Sequence, residues 1–417
     1  MDKMVIKGGQ QLNGVVRVSG AKNSALKLMF ASLLADGKHT FHNVPELADV
    51  ESARNLLKSL GCQSEFQNNT LTINSKANSQ KADYDLVRKM RASILCLGPL
   101  LAKTGEAIVS LPGGCAIGTR PIDLHLEAMK ALGAEVELKE GYVHARAKKL
   151  KGTTFLFEKV TVGGTENMMM AATLAEGTTL LENAAKEPEI VDLANYLIKM
   201  GARITGHGTS VIKIEGVEKL KAAEHTTCPD RIEAGTLLIA GAITGGEVTT
   251  THIDPIYLEA FIGKLREAGF SVETSKDSIT VKKQKQWEAV DVTTAPHPLF
   301  PTDLQAQFMA LMTLAHGTSV VTETVFENRF MHVTELMRLG ADITPKTQVA
   351  VVRGVPDKGL TAAPVMATDL RASASLVLAG LAASGETVVN RIYHLDRGYE
   401  RMEDKLTSLG GSIRRVE

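Results

Sequence analysis

A glycine-rich segment holds the cysteine best suited to chemistry. The segment SLPGGCAIGTRPIDLH (110–125) contains Cys115, which is followed five residues later by Arg120. A glycine-rich loop exposes its side chains, and a nearby guanidinium stabilises a thiolate. Cys115 is therefore a candidate acid or nucleophile, and the alternative is a small buried cysteine without chemistry.

The other three cysteines carry no recognisable site. They form no CxxC or Cys/His metal pattern and indicate no disulfide framework. Cys62 follows a helix-ending glycine and Cys96 lies in an apolar helix, so both fit the description of buried structural thiols. We assign Cys228 no role. Reduced thiols and an N-terminus without an apolar signal segment predict a cytoplasmic protein.

Basic residues recur at the predicted starts of apolar helices. Counting back 14 or 15 residues from the glycine that closes each helix gives Lys22, Arg91, Gly163, Arg231, Asp303 and Arg371. Helix N-termini attract anions, and Lys or Arg at this position adds charge-assisted contacts to phosphate or carboxylate groups. Four cations in six equivalent places therefore predict an anion-binding cluster. Asp303 is the exception, and it is either a helix cap or a general base.

Other candidate residues have weaker support from spacing alone. Arg329 in FENRFMH and Arg397 in HLDRGYER fall at the predicted starts of amphipathic helices. Each of them either reaches a shared anion or forms a surface salt bridge. His125 and His394 have no partner at a metal-ligand or triad spacing, so we interpret both as structural or as supports for the residues of a site.

Six copies of one pattern, roughly 70 residues apart, must position these side chains. In each copy an apolar helix ends at a glycine before a strand; these glycines are Gly37, Gly105, Gly177, Gly245, Gly317 and Gly385. An amphipathic helix then ends at a second glycine before two more strands; these glycines are Gly61, Gly133, Gly201, Gly269, Gly340 and Gly410. Helices that are apolar on every face are buried, so an α/β fold with six core helices is predicted.

The sixth copy lacks one strand at its C-terminal end. Residues 4–14 resemble 211–222, which hold that strand's place in the third copy. The N-terminal segment is therefore predicted to complete the sixth copy. Copies one to three would form one domain over 22–229, and copies four to six a second over 1–21 plus 230–417. An active site is expected in the cleft between two such domains.

Composition argues against several classes of protein. The 417 residues include 47 basic and 47 acidic side chains, and 4% are aromatic, which disfavours nucleic-acid binding through bulk charge or base stacking. No apolar stretch approaches the ~20 residues of a membrane span. No Walker A or GxGxxG motif follows a predicted strand, which disfavours nucleotide-dependent phosphoryl transfer and hydride transfer.

The chain resembles one enzyme family along essentially its whole length. The motifs SGAKNSALK, MRASI, LPGGCAIGTRPID, FPTDLQAQ, FENRFMH, DLRASASLVLAG and HLDRGYER are similar to those of the enolpyruvyltransferases. Within that group they resemble the UDP-N-acetylglucosamine 1-carboxyvinyltransferases, the MurA family. The resemblance implies a two-domain inside-out α/β barrel with buried helices inside and with sheets and outer helices around them. The segment VGGTEN (162–167) departs slightly from the expected motif.

The resemblance implies a reaction and roles for four residues. The enolpyruvyl group of phosphoenolpyruvate would pass to the 3′-hydroxyl of UDP-N-acetylglucosamine with release of phosphate, in the first committed step of bacterial peptidoglycan synthesis. Cys115 would be the acid and the target of fosfomycin, Asp303 would be the base, and Lys22 and Arg397 would complete the catalytic set. No metal or other cofactor is implied, and the partners are small molecules rather than nucleic acid or membrane.

The same motifs imply two binding sets. Phosphoenolpyruvate would contact Lys22, Asn23, Cys115, Arg120, Arg371 and Arg397. The sugar nucleotide would contact Asn23, Arg91, Arg120, Pro121, Ile122, Asp123, Leu124, Lys159, Val160, Thr161, Val162, Asp303, Val325 and Arg329.

Two alternatives remain open at this point. A 5-enolpyruvylshikimate-3-phosphate synthase-like transferase shares the fold and the donor but uses a different acceptor, and the Cys115 loop speaks against it. A non-catalytic sugar-nucleotide sensor would be expected to lose Cys115 or Asp303, and this sequence retains both.

Overall fold

The computed structural model of the protein describes residues 2–88, 90–111 and 122–417. These residues form two compact units. The terminal unit comprises residues 2–19 and 229–417, and the central unit comprises the described residues between 20 and 228. In the described part of the chain, no helix combines the length and the apolar character that a bilayer span requires.

The helices and strands follow one another in three stretches. The terminal unit opens with β1 (Lys3–Lys7) and β2 (Asn13–Arg17). The central unit contains α1 (Lys22–Ala31), β3 (Gly37–His42), α2 (Ala48–Ser59), β4 (Gln63–Gln67), β5 (Thr70–Ser75), β6 (Lys81–Ala82), α3 (Tyr84–Val87), α4 (Leu97–Thr104), β7 (Glu106–Ser110), α5 (Asp123–Ala131), β8 (Glu135–Lys139), β9 (Tyr142–Arg146), β10 (Thr154–Leu156), α6 (Val162–Ala172), β11 (Thr178–Glu182), α7 (Pro188–Lys199), β12 (Arg203–Thr205), β13 (Val211–Glu215) and β14 (Glu224–Thr226). The terminal unit resumes with α8 (Arg231–Ile243), β15 (Glu247–Thr251), α9 (Glu259–Glu267), β16 (Val272–Thr274), β17 (Ser278–Val281), β18 (Val292–Thr293), α10 (Gln305–Met312), β19 (Thr318–Thr322), α11 (Val333–Arg338), β20 (Asp342–Pro345), β21 (Val349–Arg353), β22 (Pro364–Met366), α12 (Leu370–Ala382), β23 (Glu386–Asn390), α13 (Met402–Ser408) and β24 (Ser412–Val416). Short 3-10 helices occupy Ser32–Leu34, Arg91–Cys96, Pro255–Leu258, Thr302–Leu304 and Ile392–Arg397.

The described residues contain six four-stranded sheets, three in each unit, and all six share one topology. The central unit has the strand orders β14-β3-β5-β4, β6-β7-β9-β8 and β10-β11-β13-β12. The terminal unit has the orders β2-β15-β17-β16, β18-β19-β21-β20 and β22-β23-β1-β24. In each sheet the first-named edge strand is parallel to its neighbour and the other pairs are antiparallel. The predicted α/β fold of six repeats is confirmed.

The prediction of three strands per repeat is wrong by one. In five of the six sheets the parallel edge strand has only two or three residues, and only β2 has five. A run of two or three residues is too short to show the alternation by which a strand is recognised in sequence.

The N-terminal segment completes two sheets of the terminal unit. Strand β1 occupies the third position of the sixth sheet, where Met4 lies opposite both Val389 and Arg415. Strand β2 then runs parallel to β15, with Val15 opposite Thr249. The three central residues of β1 are buried, which anchors the segment by its apolar side chains.

Each unit has its own hydrophobic core built around apolar helices. In the terminal unit, every residue of α8 and of α10 is buried, and both helices pack against α12. In the central unit, α4 packs against α6, and nine consecutive residues of α6 are buried. The sheets and the amphipathic helices, such as α9 with its alternating burial, surround these helices within each unit. Because the core helices are buried, their first residues are held in place on a rigid support.

The twelve repeat glycines have the predicted role. All of them have positive φ, between 66° and 122°. This region of the backbone is unfavourable for residues that carry a Cβ atom, which explains why glycine recurs where each helix ends.

Two neighbouring glycines in the terminal unit test this role. Gly269 follows α9 with a φ of 100°, and Gly263 lies exposed inside α9; a Cβ atom at either position would meet nothing within 4 Å. We expect Gly269→Ala to lower the free energy of unfolding by about 1 kcal/mol or more, because only the backbone conformation is unfavourable. We expect Gly263→Ala to raise it by about 0.5–1 kcal/mol. Chemical denaturation followed by circular dichroism measures both, and equal effects of the two substitutions would contradict the assignment.

Candidate active site

Three core helices of the terminal unit bring charged residues together at their N-termini. Arg231 is the first residue of α8, Arg371 is the second residue of α12, and Asp303 lies in the 3-10 helix that leads into α10. The side chains of Asp230 and Asp369 accept hydrogen bonds from backbone N–H groups and cap α8 and α12. Because the three helices pack against one another, these predicted helix-start residues share one end of the core.

Asp303 lies between two buried arginines. Its Oδ1 atom accepts a hydrogen bond of 2.7 Å from Nη2 of Arg329, and its Oδ2 atom accepts one of 2.8 Å from Nη2 of Arg371. Both arginines are 6% exposed. Burial by itself would raise the pKa of Asp303, but the charges of Arg371 and Arg329 outweigh burial and hold that pKa well below its ordinary value. The two charges favour the ionised form of Asp303, and its carboxylate oxygens bind guanidinium groups, while no side chain of the described residues caps the start of α10.

The placement of Arg329 differs from the sequence prediction. It lies in a turn four residues before α11 rather than at the start of that helix. It is buried, so it does not form a surface salt bridge. Its Nη1 atom donates a hydrogen bond of 2.7 Å to the hydroxyl of Thr302, and its guanidinium stands 4.9 Å from the ring centroid of Phe326. The helical spacing of apolar residues indicates where a helix lies but does not reveal a turn before it, which explains why Arg329 was predicted at the helix start.

Glu323 fixes the turn that contains Val325. This glutamate is 1% exposed and accepts hydrogen bonds from the hydroxyls of Thr294 and Thr302 at 2.9 and 2.8 Å. It also accepts the backbone N–H groups of Val325 and Phe326 at 2.9 and 3.2 Å. The side chain of Val325 is left 38% exposed. Glu323 therefore links the Val325 turn to Thr302, the threonine that also contacts Arg329.

A buried tyrosine holds the second nitrogen of Arg371. The hydroxyl of Tyr399 lies 3.3 Å from Nη1 of Arg371, 3.0 Å from Nε2 of Gln307 and 2.9 Å from the hydroxyl of Thr236. Nε2 of Gln307 also donates to the backbone oxygen of Asp303 at 2.9 Å. Sequence reasoning missed Tyr399, Gln307 and Thr236. Of these three residues, only Gln307 could have been found from its sequence position, because it lies one helical turn after Asp303.

Arg397 also lies outside the predicted helix start. It is the last residue of the 3-10 helix Ile392–Arg397, five residues before α13, and it is half-buried. Arg415 on β24 anchors this segment through two hydrogen bonds to Asp396, of 2.6 and 3.0 Å. The segment is bounded by Arg391 and Arg401, which have φ values of 60° and 45°. The unusual conformation of two non-glycine residues explains why a helical pattern did not describe this stretch.

In the central unit, the start of α1 carries Lys22 and Asn23 as predicted. Nζ of Lys22 lies 3.1 Å from Oδ2 of Asp49, and Asn23 is half-buried. One turn further along, Nζ of Lys27 lies 3.5 Å from Oε1 of Glu166, a fully buried glutamate of α6. Burial raises the pKa of Glu166 to about 8, against the opposing effect of the Lys27 charge.

His125 lies beside the start of α6 and is influenced by the charge of Arg91. Arg91 is the first residue of the 3-10 helix Arg91–Cys96. Burial, and to a smaller extent the positive charge of Arg91, lowers the pKa of His125 to about 4. Nδ2 of Asn167 donates to Nδ1 of His125 at 3.1 Å, so the imidazole carries its proton on Nε2. A Cβ atom on Gly163 would stand 3.0 Å from Cε1 of His125, which explains a glycine where other repeats have a cation. His125 is thus structural, with Asn167 as a partner that spacing did not reveal.

The remaining predicted sugar-nucleotide residues flank α5 and α6. Ile122 occupies the N-cap position of α5 without a side-chain hydrogen bond. Asp123 and Leu124 are the first two residues of α5, and Asp123 is exposed. The segment 159–162 runs into α6, where the hydroxyl of Thr161 caps the helix by accepting the N–H of Gly164 at 3.2 Å. Lys159 and Val160 are exposed.

The predictions for Cys115, Arg120 and Pro121 lie outside the described residues. The other three cysteines are described, and burial raises the pKa of each thiol: in Cys62, in Cys96 to about 12, and in Cys228 well above its ordinary value. Within the described ranges no group of His, Cys, Asp or Glu is arranged to hold a metal ion.

Comparison with known proteins extends over the whole chain. A family model described as EPSP synthase (3-phosphoshikimate 1-carboxyvinyltransferase) matches residues 6–406. A Bdellovibrio bacteriovorus protein named UDP-N-acetylglucosamine 1-carboxyvinyltransferase is 72% identical over 416 residues, covering 99% of this chain and 100% of that protein. A Myxococcus xanthus protein of the same name is 58% identical over 420 residues, covering 100% of this chain and 99% of that protein.

Solved structures agree with the fold described above. The enolpyruvyl transferase NikO from Streptomyces tendae superposes with a TM-score of 0.89 at 26% identity, covering 100% of this chain and 99% of that one. EPSP synthase from Acinetobacter baumannii gives a TM-score of 0.76 at 17% identity, covering 100% of both chains, and at that identity the likeness concerns the fold alone. The resemblance inferred from the motifs is confirmed. Because the family model spans nearly the whole chain, the chain belongs to the EPSP synthase (3-phosphoshikimate 1-carboxyvinyltransferase) family.

Proposed function

We propose that this protein transfers the enolpyruvyl group of phosphoenolpyruvate to the 3′-hydroxyl of UDP-N-acetylglucosamine and releases phosphate. The observation that carries the proposal is Asp303, an ionised carboxylate held by two buried arginines at the N-terminal end of the core helices. Relatives that share 58–72% of their residues with this chain, over its full length, are named for this reaction. We place the reaction in the cytoplasm, as the first committed step of peptidoglycan synthesis.

The reaction is an addition followed by an elimination. In the addition, the 3′-oxygen forms a bond to C2 of phosphoenolpyruvate, the hydroxyl proton passes to a base, and a proton is added to C3. In the elimination, the bond from C2 to the phosphate oxygen breaks and C3 loses a proton, which leaves the enol ether and inorganic phosphate. The protein must therefore supply one acid, one base and positive charge for two anionic groups.

The basic residues supply the positive charge. Phosphoenolpyruvate carries a phosphate and a carboxylate, both of which bind guanidinium groups in a bidentate manner. We assign this binding to Lys22, Asn23, Arg371 and Arg397 among the described residues, and to Arg120. The support is that Lys22 and Arg371 stand at helix starts. At α1 the backbone N–H groups also attract anions, whereas at α12 Asp369 already accepts the first N–H groups.

Asp303 is the proposed base, and its two arginines control its basicity. A carboxylate whose pKa is held well below the ordinary value accepts a proton poorly. When the anionic donor binds Arg371, that arginine turns its charge toward the donor, and the pKa of Asp303 rises toward the range of a useful base. General base catalysis of this kind contributes ~10²–10⁴-fold to a rate.

For the sugar nucleotide we propose the residues around the starts of α5 and α6 and the turn held by Glu323. This set comprises Arg91, Ile122, Asp123, Leu124, Lys159, Val160, Thr161, Val162, Val325 and Arg329, together with Asn23, Asp303, Arg120 and Pro121. For Asp123, Val160 and Val325 the support is exposure at a helix start or a turn.

The choice of acceptor separates this proposal from its nearest alternative. We expect phosphate release from phosphoenolpyruvate with UDP-N-acetylglucosamine and none above background with shikimate 3-phosphate, because the relatives at 58–72% identity are named for the sugar nucleotide. A colorimetric phosphate assay with each acceptor measures this. Release with shikimate 3-phosphate alone would reverse the assignment. Release with neither acceptor would indicate a protein that binds a sugar nucleotide without catalysing the transfer.

The proposed acid is Cys115, and its reactivity distinguishes it from the other thiols. Burial raises the pKa values of Cys62, Cys96 and Cys228, so these thiols are unreactive in the folded protein. We expect fosfomycin to attach to Cys115 alone and to abolish phosphate release, with peptide mass spectrometry as the measurement. Iodoacetamide under denaturing conditions should label all four cysteines and serves as the control. Modification of Cys62 or Cys96 in the native protein, or an unmodified Cys115, would contradict this assignment.

A further inference from the structure

Tyr399 stands at the centre of a buried hydrogen-bond network in the terminal unit. It is 3% exposed, and its hydroxyl has three neighbours: Nη1 of Arg371, Nε2 of Gln307 and the hydroxyl of Thr236. The guanidinium carbon of Arg371 also lies 5.7 Å from the centroid of the Tyr399 ring. Arg371 is thus bound by Tyr399 on one nitrogen and by Asp303 on the other.

The partners in this network fix the directions of the hydrogen bonds made by Thr236 and Arg371. The hydroxyl of Thr236 donates its proton to the backbone oxygen of Ile232 at 2.8 Å, so it accepts at its oxygen from Tyr399. The Gln307 atom near Tyr399 also contacts the backbone oxygen of Asp303, which only accepts, so that atom is the amide nitrogen. The Tyr399 oxygen consequently donates to Thr236 and accepts from Arg371. The second N–H of Gln307 is shared between the hydroxyls of Tyr399 and Thr236, at 3.0 and 3.2 Å.

We propose that Tyr399 is a positioning residue that holds Nη1 of Arg371, so that Nη2 is the nitrogen exchanged between Asp303 and the anionic group of phosphoenolpyruvate. This inference rests on the proposed function. Arg371 can change partner on one side only if its other side stays bound, because an arginine side chain otherwise loses its orientation among many rotamers. Tyr399 provides that second point of attachment, and Gln307 connects the same hydroxyl to the backbone of Asp303.

Tyr399→Phe tests the proposal with a nearly isosteric change. It leaves the ring beside Arg371 and removes only the acceptor for Nη1. We expect the KM for phosphoenolpyruvate to rise about tenfold, in line with the loss of one hydrogen bond to a charged group. The kcat and the KM for UDP-N-acetylglucosamine should change by less than about twofold. A merely structural role would instead alter both KM values and the melting temperature together.

Tyr196→Phe is the matched control. Tyr196 is also buried, and its hydroxyl is bonded to His39 at 2.6 Å in the central unit; among the described residues no arginine bonds this hydroxyl. We expect this variant to keep both KM values. If Tyr196→Phe raises the KM for phosphoenolpyruvate as much as Tyr399→Phe does, the effect is general to a buried hydroxyl and the proposal is wrong.

Thr236→Val provides a second test that leaves Tyr399 in place. Without Thr236 as its acceptor, the hydroxyl proton of Tyr399 points toward the N–H groups of Arg371 and Gln307 and weakens their hydrogen bonds to the Tyr399 oxygen. The KM for phosphoenolpyruvate should therefore rise several-fold, as expected for Tyr399→Phe. This variant decides the question if Tyr399→Phe does not fold. An unchanged KM for phosphoenolpyruvate in every folded variant would overturn the inference.

The failure of the proposed function is distinguishable from the failure of this inference. If the wild type releases no phosphate with either acceptor, the function is wrong. Calorimetric titration with phosphoenolpyruvate then compares the wild type with Tyr399→Phe directly: about tenfold weaker binding by the variant supports the positioning role. Equal affinities, or a wild type that does not bind phosphoenolpyruvate, contradict it.

Discussion

The ion network of Asp303, Arg329 and Arg371 is the interaction on which the rest of the proposed chemistry depends. Burial alone would raise the pKa of Asp303, whose side chain is 26% exposed, and two arginines buried without a partner would be strongly unfavourable. Together they form a group with net positive charge, placed where helix N-termini already favour anions. We propose that such a group binds an anionic donor and that Asp303, released by Arg371 on one oxygen, then becomes a stronger base.

The repeated fold is what makes this network possible. Charged groups are held at a fixed distance only if the helices that carry them are rigid, and burial of α8, α10 and α12 on every face supplies that rigidity. Threonine, tyrosine and glutamate side chains then occupy the positions behind the arginines. Thr302 supports Arg329 and Tyr399 supports Arg371, so each guanidinium is bound through Nη1 while its Nη2 binds Asp303.

The helix starts could be predicted from sequence because their signal is local. The glycines at helix ends and the apolar periodicity located Lys22, Arg91, Arg231, Asp303 and Arg371 at the first residues of core helices. The two-residue edge strands and the turns around Arg329 and Arg397 lacked any periodic signal. Tyr399, Glu323 and Thr236 were missed for a different reason: most of their partners lie 21 to 163 residues away in the chain or are backbone atoms of a turn. Only tertiary packing brings such partners together.

The ionisation state of Asp303 tests the central claim most directly. The measurement is a titration of its carboxyl carbon by NMR between pH 7 and pH 4, with Asp303→Asn used to assign the signal and circular dichroism used to verify the fold. The wild-type carboxyl should show no protonation, since its pKa lies well below 3.8. Arg371→Met should bring the titration up into this range, whereas Arg353→Met, at an exposed arginine, should not. A wild-type carboxyl that titrates at or above pH 4, or one whose pKa is unaffected by loss of Arg371, would contradict the account.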